Sequence, residues 1–388
     1  MGALWVRLLL VAWGLIALSG CSTINGWVDG VSDTYTSVSH EEFTSEFAPK
    51  VLWSSSIGSG TDGLWVELSH QIVGERVYVV AADGVVSAVD ISSGGNNWQQ
   101  TIKESVITGV AVGGGDLYVG TESGTLLALD RVSGKQHWSV PLLSEILAPP
   151  AVSSGVVVVR TVDGKLIGLS EESGREIWRY QREVPVLTLR GTSSPIIADG
   201  RVYAGMDSGE VVALALQDGR ELWLKSVTPA RGRTEIERMV DIDADPVILD
   251  GVIYIVSYQG NLAALGAEQG DLLWKRKMSG VTAPMVYGPY LFVADTEGNV
   301  WALDRKDGSA LWKQDGLKGR NLTTPTLSGL NLVVGDDDGY LHWISAEDGH
   351  FVARMRVDST GVSATPLLGS RTIISYGQSG KLSAIIQQ

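Results

Sequence analysis

A glycine-centred template recurs eight times along this chain, and that recurrence constrains the fold more than any other feature. Gly84, Gly124, Gly164, Gly209, Gly260, Gly298, Gly339 and Gly380 mark successive units at spacings of 40, 40, 45, 51, 38, 41 and 41 residues, the period of a propeller blade. Four residues on stands a small residue (Ala88, Ala128, Gly168, Ala213, Ala264, Ala302, Ala384), with Trp343 the exception. Ten residues on comes a second glycine (Gly94, Gly134, Gly174, Gly219, Gly270, Gly308, Gly349). Fourteen residues on come Trp98, Trp138, Trp178, Trp223, Trp274 and Trp312, with Ala353 in that place in the seventh unit.

Each unit reads as four strands. A first strand begins at or near a proline (Pro195, Pro246, Pro284, Pro325, Pro366), where a missing N–H costs no ladder bond. An apolar run such as Val77–Val80, a glycine hairpin, a strand ending in Ala-Leu and the tryptophan strand follow. The eighth unit stops before its tryptophan strand, while Trp53 lies 45 residues before Trp98 with no unit ahead of it. These halves predict an all-β, eight-bladed β-propeller of four-stranded antiparallel blades over residues 43–388. The N-terminal strand completes the last blade, which removes exposed sheet edges. Trp53 and the six repeat tryptophans are expected to pack between blades rather than to stack a cofactor.

The net charge of −14 and the lack of a Lys/Arg face argue against nucleic acid as a partner, and against membrane attachment through a basic patch. Arg7 precedes an eleven-residue apolar run, residues 8–18, too short to span a bilayer but suited to a signal peptide over residues 1–20. The run ends in Leu18-Ser19-Gly20-Cys21, which resembles the bacterial lipobox and implies a lipidated Cys21. Ser22, rather than Asp, after that cysteine implies the outer membrane, facing the periplasm, with the lipid as the only membrane contact. Residues 21–42 are expected to be a flexible tether.

The two longest connections between units are consecutive: Trp178 to Pro195 spans 17 residues and Trp223 to Pro246 spans 23, against 10 to 13 in most others. Equivalent connections leave an up-and-down propeller on one face, so residues 179–194 and 224–245 should form one patch. It carries Arg190, Arg231, Arg233 and Arg238 beside Glu235, Glu237, Asp241 and Asp243, with Leu187 and Leu189 as apolar anchors. Arginine beside apolar anchors suits a protein interface. The bland alternative is a pair of solvated loops.

The Gly, Ala-Leu-Asp, Gly, Trp template resembles the tryptophan-docking repeat of quinoprotein dehydrogenases. Those enzymes resemble one another in a vicinal disulfide beside the quinone, and Cys21 is this chain's only cysteine. A lipobox ahead of eight such units is similar to the BamB family of outer-membrane assembly lipoproteins. Leu187-Thr188-Leu189-Arg190-Gly191 and Asp241-Ile242-Asp243 fall where that family carries LxLRG and DxD stretches. The resemblance implies a non-catalytic scaffold that binds the periplasmic domains of BamA within the barrel-assembly (BAM) complex. Leu187, Leu189, Arg190, Asp241 and Asp243 are then the contact residues, and unfolded outer-membrane protein precursors a further contact. A quinone-dependent dehydrogenase relative and a periplasmic ligand-binding propeller remain as alternatives.

No cofactor, metal or catalytic residue is expected. His40, His70, His137, His342 and His350 show no ligand spacing, and Asp336-Asp337-Asp338-Gly339 occupies the hairpin that reads Ala82-Asp83-Gly84 in the first unit. Neither a GxSxG elbow nor a phosphate-binding glycine loop occurs.

Overall fold

The computed structural model describes residues 37–64, 66–189 and 193–387. Among them there is no helix, and the strands form eight four-stranded antiparallel sheets. Blades 1 to 7 cover residues 71–101, 111–141, 151–181, 196–226, 247–277, 285–314 and 326–356. Blade 8 takes three strands from residues 367–386 and its outermost from Lys50–Ser56, which pairs antiparallel with Lys381–Ile386. The ring is thus closed by the two ends of the fold, as the half-units of the sequence require.

Within a blade the burial pattern follows from position. The first strand is three residues long in blades 1 to 7 and half-buried. The next two carry the apolar runs and are buried on both faces, as in Arg76–Val80 and Val85–Asp90. The outermost strand is largely exposed apart from its tryptophan. Pro195, Pro246, Pro284, Pro325 and Pro366 each immediately precede a first strand, so no ladder bond is lost.

Every blade has a register slip at the same place. In blade 1 Ala88 faces Trp98 while Val89 faces Asn96, so Asn97 is the extra residue of a bulge. The bulge turns the tryptophan to lie opposite the small residue four positions after the turn glycine. Its indole then reaches the next blade. Trp53 Nε1 donates to Ile91 O at 2.9 Å, Trp98 to Arg131 O at 3.1 Å and Trp138 to Glu171 O at 3.0 Å. Trp178, Trp223, Trp274 and Trp312 donate likewise to Leu216, Ala267, Arg305 and Ala346. The six-membered part of each ring lies on the next blade's second glycine: a Cβ on Gly134 would sit 2.6 Å from Trp98 Cε3, and one on Gly349 2.6 Å from Trp312 Cε3. That glycine also has positive φ (71° at Gly134), so both steric space and backbone conformation call for it.

Blade 7 exchanges the two positions. Trp343 stands where other blades have the small residue, and it pairs across the ladder with Ala353, where they have tryptophan. Trp343 is fully buried among Ala353, Val357, Ile373 and Ile385, with Phe47 edge-on at 6.1 Å. It fills the gap between blades 7 and 8 from the opposite strand, and its Nε1 has no partner among the described residues.

Residues 38–42, which the sequence placed at the end of the tether, are packed against blade 7, and the compact unit begins at Val38. Val38 N donates to Lys318 O at 3.1 Å, and Arg354 Nη1 donates to Glu41 O at 3.1 Å. Polar, turn-rich composition suggested free chain; Phe43, stacked on Phe351 at 5.4 Å, is what anchors the segment.

Trp223→Ala is expected to cost about 3–5 kcal/mol, as for removal of other large buried aromatics. Chemical denaturation of the folded chain measures it. A loss under about 1 kcal/mol would mean that the indoles do not hold the blades together.

Candidate functional site

The connection after blade 3 (182–195) and the connection after blade 4 (227–246) leave outer strands on the same face and run to neighbouring inner strands. Their bases are buried and their tips exposed. In the longer one, Val240, Asp241, Ile242 and Ala244 are at most 4% exposed, whereas Ile236 at the tip is 60% exposed. Ile242 can sink this far because Gly205 opposite it has no side chain; a Cβ there would lie 2.2 Å from Ile242 Cγ2. The tip is folded on itself: Glu237 accepts from Arg233 N at 2.7 Å and Thr234 N at 3.2 Å, and Arg238 pairs with Glu235 at 3.6 Å.

Asp241 joins the two connections. Its carboxylate accepts from Leu189 N, and its carbonyl accepts from Tyr258 N at 2.9 Å. Leu189 is half-buried, while Val186 is 93% and Leu187 39% exposed beside it. Arg190 and Gly191 lie outside the described residues, and so does Cys21. Asp243 stands two residues from Asp241 with both carboxylate oxygens enclosed and unpartnered among the described residues. Ser194 N donates to Asp245 Oδ1 at 2.5 Å, a second clasp between the connections.

Beneath them lies a charged group that sequence reasoning missed. Arg160, 1% exposed, donates from Nη1 to Ser193 Oγ at 3.0 Å and from Nη2 to Asp207, itself 8% exposed. The signal was present. Position four before the turn glycine is apolar or glycine in most units (Val80, Gly120, Gly205, Val256, Ala294, Gly335), and only here is it arginine.

Burial raises the Asp241 carboxyl to about 6; the Leu189 N–H opposes this, Asp207's charge adds to it and Arg160 opposes it. Burial, with the charge of Asp241 and against that of Arg160, raises Asp243 to about 7. Asp245 is raised to about 6 by burial, opposed by the bonds from Ser194. Asp243 and Asp245 also face an axial cavity of about 380 Å³, with His70 and Glu67 on its wall. Glu67 is reached by solvent through the cavity yet enclosed by protein, and burial with Asp245's charge raises it to about 7. His70 is lowered to about 4 by burial.

Two histidines with no ligand spacing in sequence do meet. His40, Asp336 and His342 bring one ligand atom each within 4.8 Å of one another. His342 Nδ1 accepts from Arg354 Nε at 3.0 Å, so Nε2 carries the proton and donates to Asp336 Oδ2 at 2.8 Å. Arg320 Nη1 is 3.7 Å from the same oxygen. A protonated nitrogen and an adjacent guanidinium suit an ion-pair cluster rather than a cation site. Asp336 Oδ1 accepts from Asp338 N and Tyr340 N at 3.1 and 2.8 Å, which is turn chemistry.

The fold is a closed eight-bladed propeller with one paired set of long, base-pinned connections, and known proteins share its architecture. The family profile described as outer membrane protein assembly factor BamB matches residues 82–314. The chain is 45% identical over 369 residues to the outer membrane protein assembly factor BamB of Marinobacter adhaerens, covering 95% of this chain and 93% of that one. The crystal structure of BamB from Moraxella catarrhalis superposes with a TM-score of 0.81 at 27% identity, over 87% of this chain and all of that one. The chain belongs to the BamB family of outer membrane protein assembly factors. Quinohemoprotein alcohol dehydrogenase from Comamonas testosteroni shares the fold alone, with a TM-score of 0.70 at 15% identity over 87% of this chain and 76% of that one.

The Asp243 carboxyl holds its proton more tightly folded than unfolded, where it titrates near the ordinary 3.8. Its contribution to stability is therefore complete below about pH 4 and lost as pH rises through 7. Asp243→Asn should raise Tm by about 1–3 °C at pH 8, with the gain vanishing near pH 4. Thermal unfolding across that range measures the effect; equal gains at both pH values would contradict the assignment.

Proposed function

We propose that this chain is a non-catalytic, lipid-anchored docking scaffold at the periplasmic face of the outer membrane. It holds the periplasmic domains of BamA through the patch formed by the connections after blades 3 and 4. The observation that carries this reading is the contrast within the patch. Its bases are immobilised by Asp241, Arg160 and Asp207, while Val186, Leu187 and Ile236 are exposed at its rim. Exposed apolar side chains on a pre-ordered backbone lose little entropy on binding, which favours association. Arg190 follows Leu189 in the sequence, and its guanidinium would supply a charge-assisted bond to the partner.

In this reading Asp241 is a positioning residue: its bond to Leu189 N shapes the stretch that carries Leu187 and Arg190. Asp243 has no partner among the described residues and faces the axial cavity, through which a cationic group of BamA would reach it. The diacyl anchor on Cys21 keeps the propeller at the membrane, since acyl burial contributes about 0.8 kcal/mol per methylene and two chains give stable attachment. Unfolded precursors passing to BamA would meet the same face.

Binding of the full-length lipoprotein in detergent to the periplasmic domains of BamA tests the patch. Leu187→Asp and Arg190→Glu should each weaken binding by about tenfold or more at unchanged Tm. Binding by the folded variants equal to wild type would refute the patch, and no binding by wild type would refute the partner. Cys21→Ser should abolish palmitate incorporation and release the chain from membranes; retained incorporation would refute the anchor.

A further inference from the structure

Blades 6 and 7 share a set of side chains that the other repeats lack. Three residues before the turn glycine stand Asp295 and Asp336, where the rest have Ala81, Thr121, Thr161, Met206, Ser257 and Gly377. Three residues after it stand Trp301 and His342, the only ring N–H groups at that position. Fifteen after it stand the cations Lys313 and Arg354, a position that is also basic in blades 3 and 5 (Arg179, Lys275), which lack the aspartate and the ring. In both blades the ring donates to the aspartate: Trp301 Nε1 to Asp295 Oδ2 at 2.7 Å, His342 Nε2 to Asp336 Oδ2 at 2.8 Å.

In blade 7 this set is occupied by the chain's own residues 38–46. His40 lies edge-on to Tyr340 at 4.5 Å and 5.7 Å from the His342 ring. Phe43 stacks on Phe351 with the Arg354 guanidinium 5.0 Å above it. The backbone is held by Arg320 Nη2 to Val38 O at 2.9 Å, Arg354 Nη1 to Glu41 O at 3.1 Å and Glu46 N to Val352 O at 2.9 Å. Glu46 meets His350 at 2.8 Å. The molecule therefore displays its own example of what such a groove accepts: a linear segment with an aromatic ring between carboxylates.

The equivalent groove between blades 5 and 6 is open. It has a volume of about 530 Å³ and is lined by Arg276, Lys277, Asp295, Trp301 and Lys313 among others. The Arg276 guanidinium lies 5.1 Å and the Lys313 ammonium 5.3 Å from the Trp301 ring centre, so an indole and two cations meet in the groove. Asp295 is engaged by Asn299 and Trp301, so it does not neutralise those cations directly. Where blade 7 has Phe351, blade 6 has the smaller Ala310.

We propose that the groove between blades 5 and 6 is a second receptor for a linear peptide, taking a segment of another polypeptide that carries an aromatic residue flanked by carboxylates. The aromatic ring lies in the groove beside Trp301, and the carboxylates meet Arg276, Lys277 and Lys313. This site is separate from the patch after blades 3 and 4 and does not depend on its partner.

The probe is a fluorescein-labelled nonapeptide with the sequence of residues 38–46, titrated by anisotropy against the full-length lipoprotein in detergent. Saturable binding is expected, weakened about tenfold or more by Lys313→Glu and by Trp301→Ala, and by Phe→Ala in the peptide. Arg179→Glu, at the same repeat position in blade 3, should leave it unchanged. Lys313 is at the surface, so its charge reversal keeps the test valid should Trp301→Ala fail to fold. Absence of saturable binding to wild type, binding indifferent to Lys313→Glu, or equal loss with Arg179→Glu would each overturn the proposal. So would a photoreactive phenylalanine in the peptide that crosslinks to Phe351 instead of to the Trp301 groove.

Discussion

The contact on which the rest of this structure depends is an indole laid on a glycine of the next blade, with its N–H bonded to a carbonyl there. It combines a large apolar burial with a satisfied donor, and it recurs at seven of the eight blade junctions. The same requirement accounts for the bulge before each tryptophan, the small residue opposite it and the positive φ of the receiving glycine. Blade 7 tests the rule by breaking it. There the tryptophan has moved across the ladder to position 343, volume is conserved, and the price is an indole N–H without a partner among the described residues.

A ring held this way is stiff, so what differs between blades is free to specialise. The connection after blade 4 uses its extra length to carry a carboxylate, Asp241, into the interior, where it captures a backbone N–H of the connection before it. A buried acid of this kind is costly unless bonded, and the Leu189 N–H and the charge of Arg160 offset part of that cost, while Asp207 adds to it. The result is a pair of loops fixed at the base and apolar at the rim. On another side of the ring, residues 38–46 show that an interblade groove can hold peptide through aromatic and cationic side chains rather than through strand pairing.

Blade count, strand order and ring closure were legible because they rest on local chemistry repeated at a fixed period: glycine at turns, proline before first strands, a half-unit at each end. The paired long connections were legible as a departure from that period. The Arg160 network was not read, although arginine in an apolar column was visible, because its partners Ser193 and Asp207 are brought near only by the ring. His40 and His342 show no ligand spacing in the sequence for the same reason: most of the chain separates them, and the fold lays the N-terminal segment on blade 7. Residues 38–42 were read as tether because polar composition conceals a segment held mainly by its backbone carbonyls and by Phe43 next to it.

The central claim is that the face bearing the connections after blades 3 and 4 meets BamA. Site-specific photocrosslinking in assembled complexes addresses it most directly, with the photoreactive residue placed in turn at Leu187, Ile236 and Leu330. All three side chains are exposed, and Leu330 sits in a turn on the opposite face, 86% exposed. Crosslinks to BamA are expected from positions 187 and 236 and none from 330. A crosslink from 330 alone, or from none of the three in complexes that contain both proteins, would contradict it.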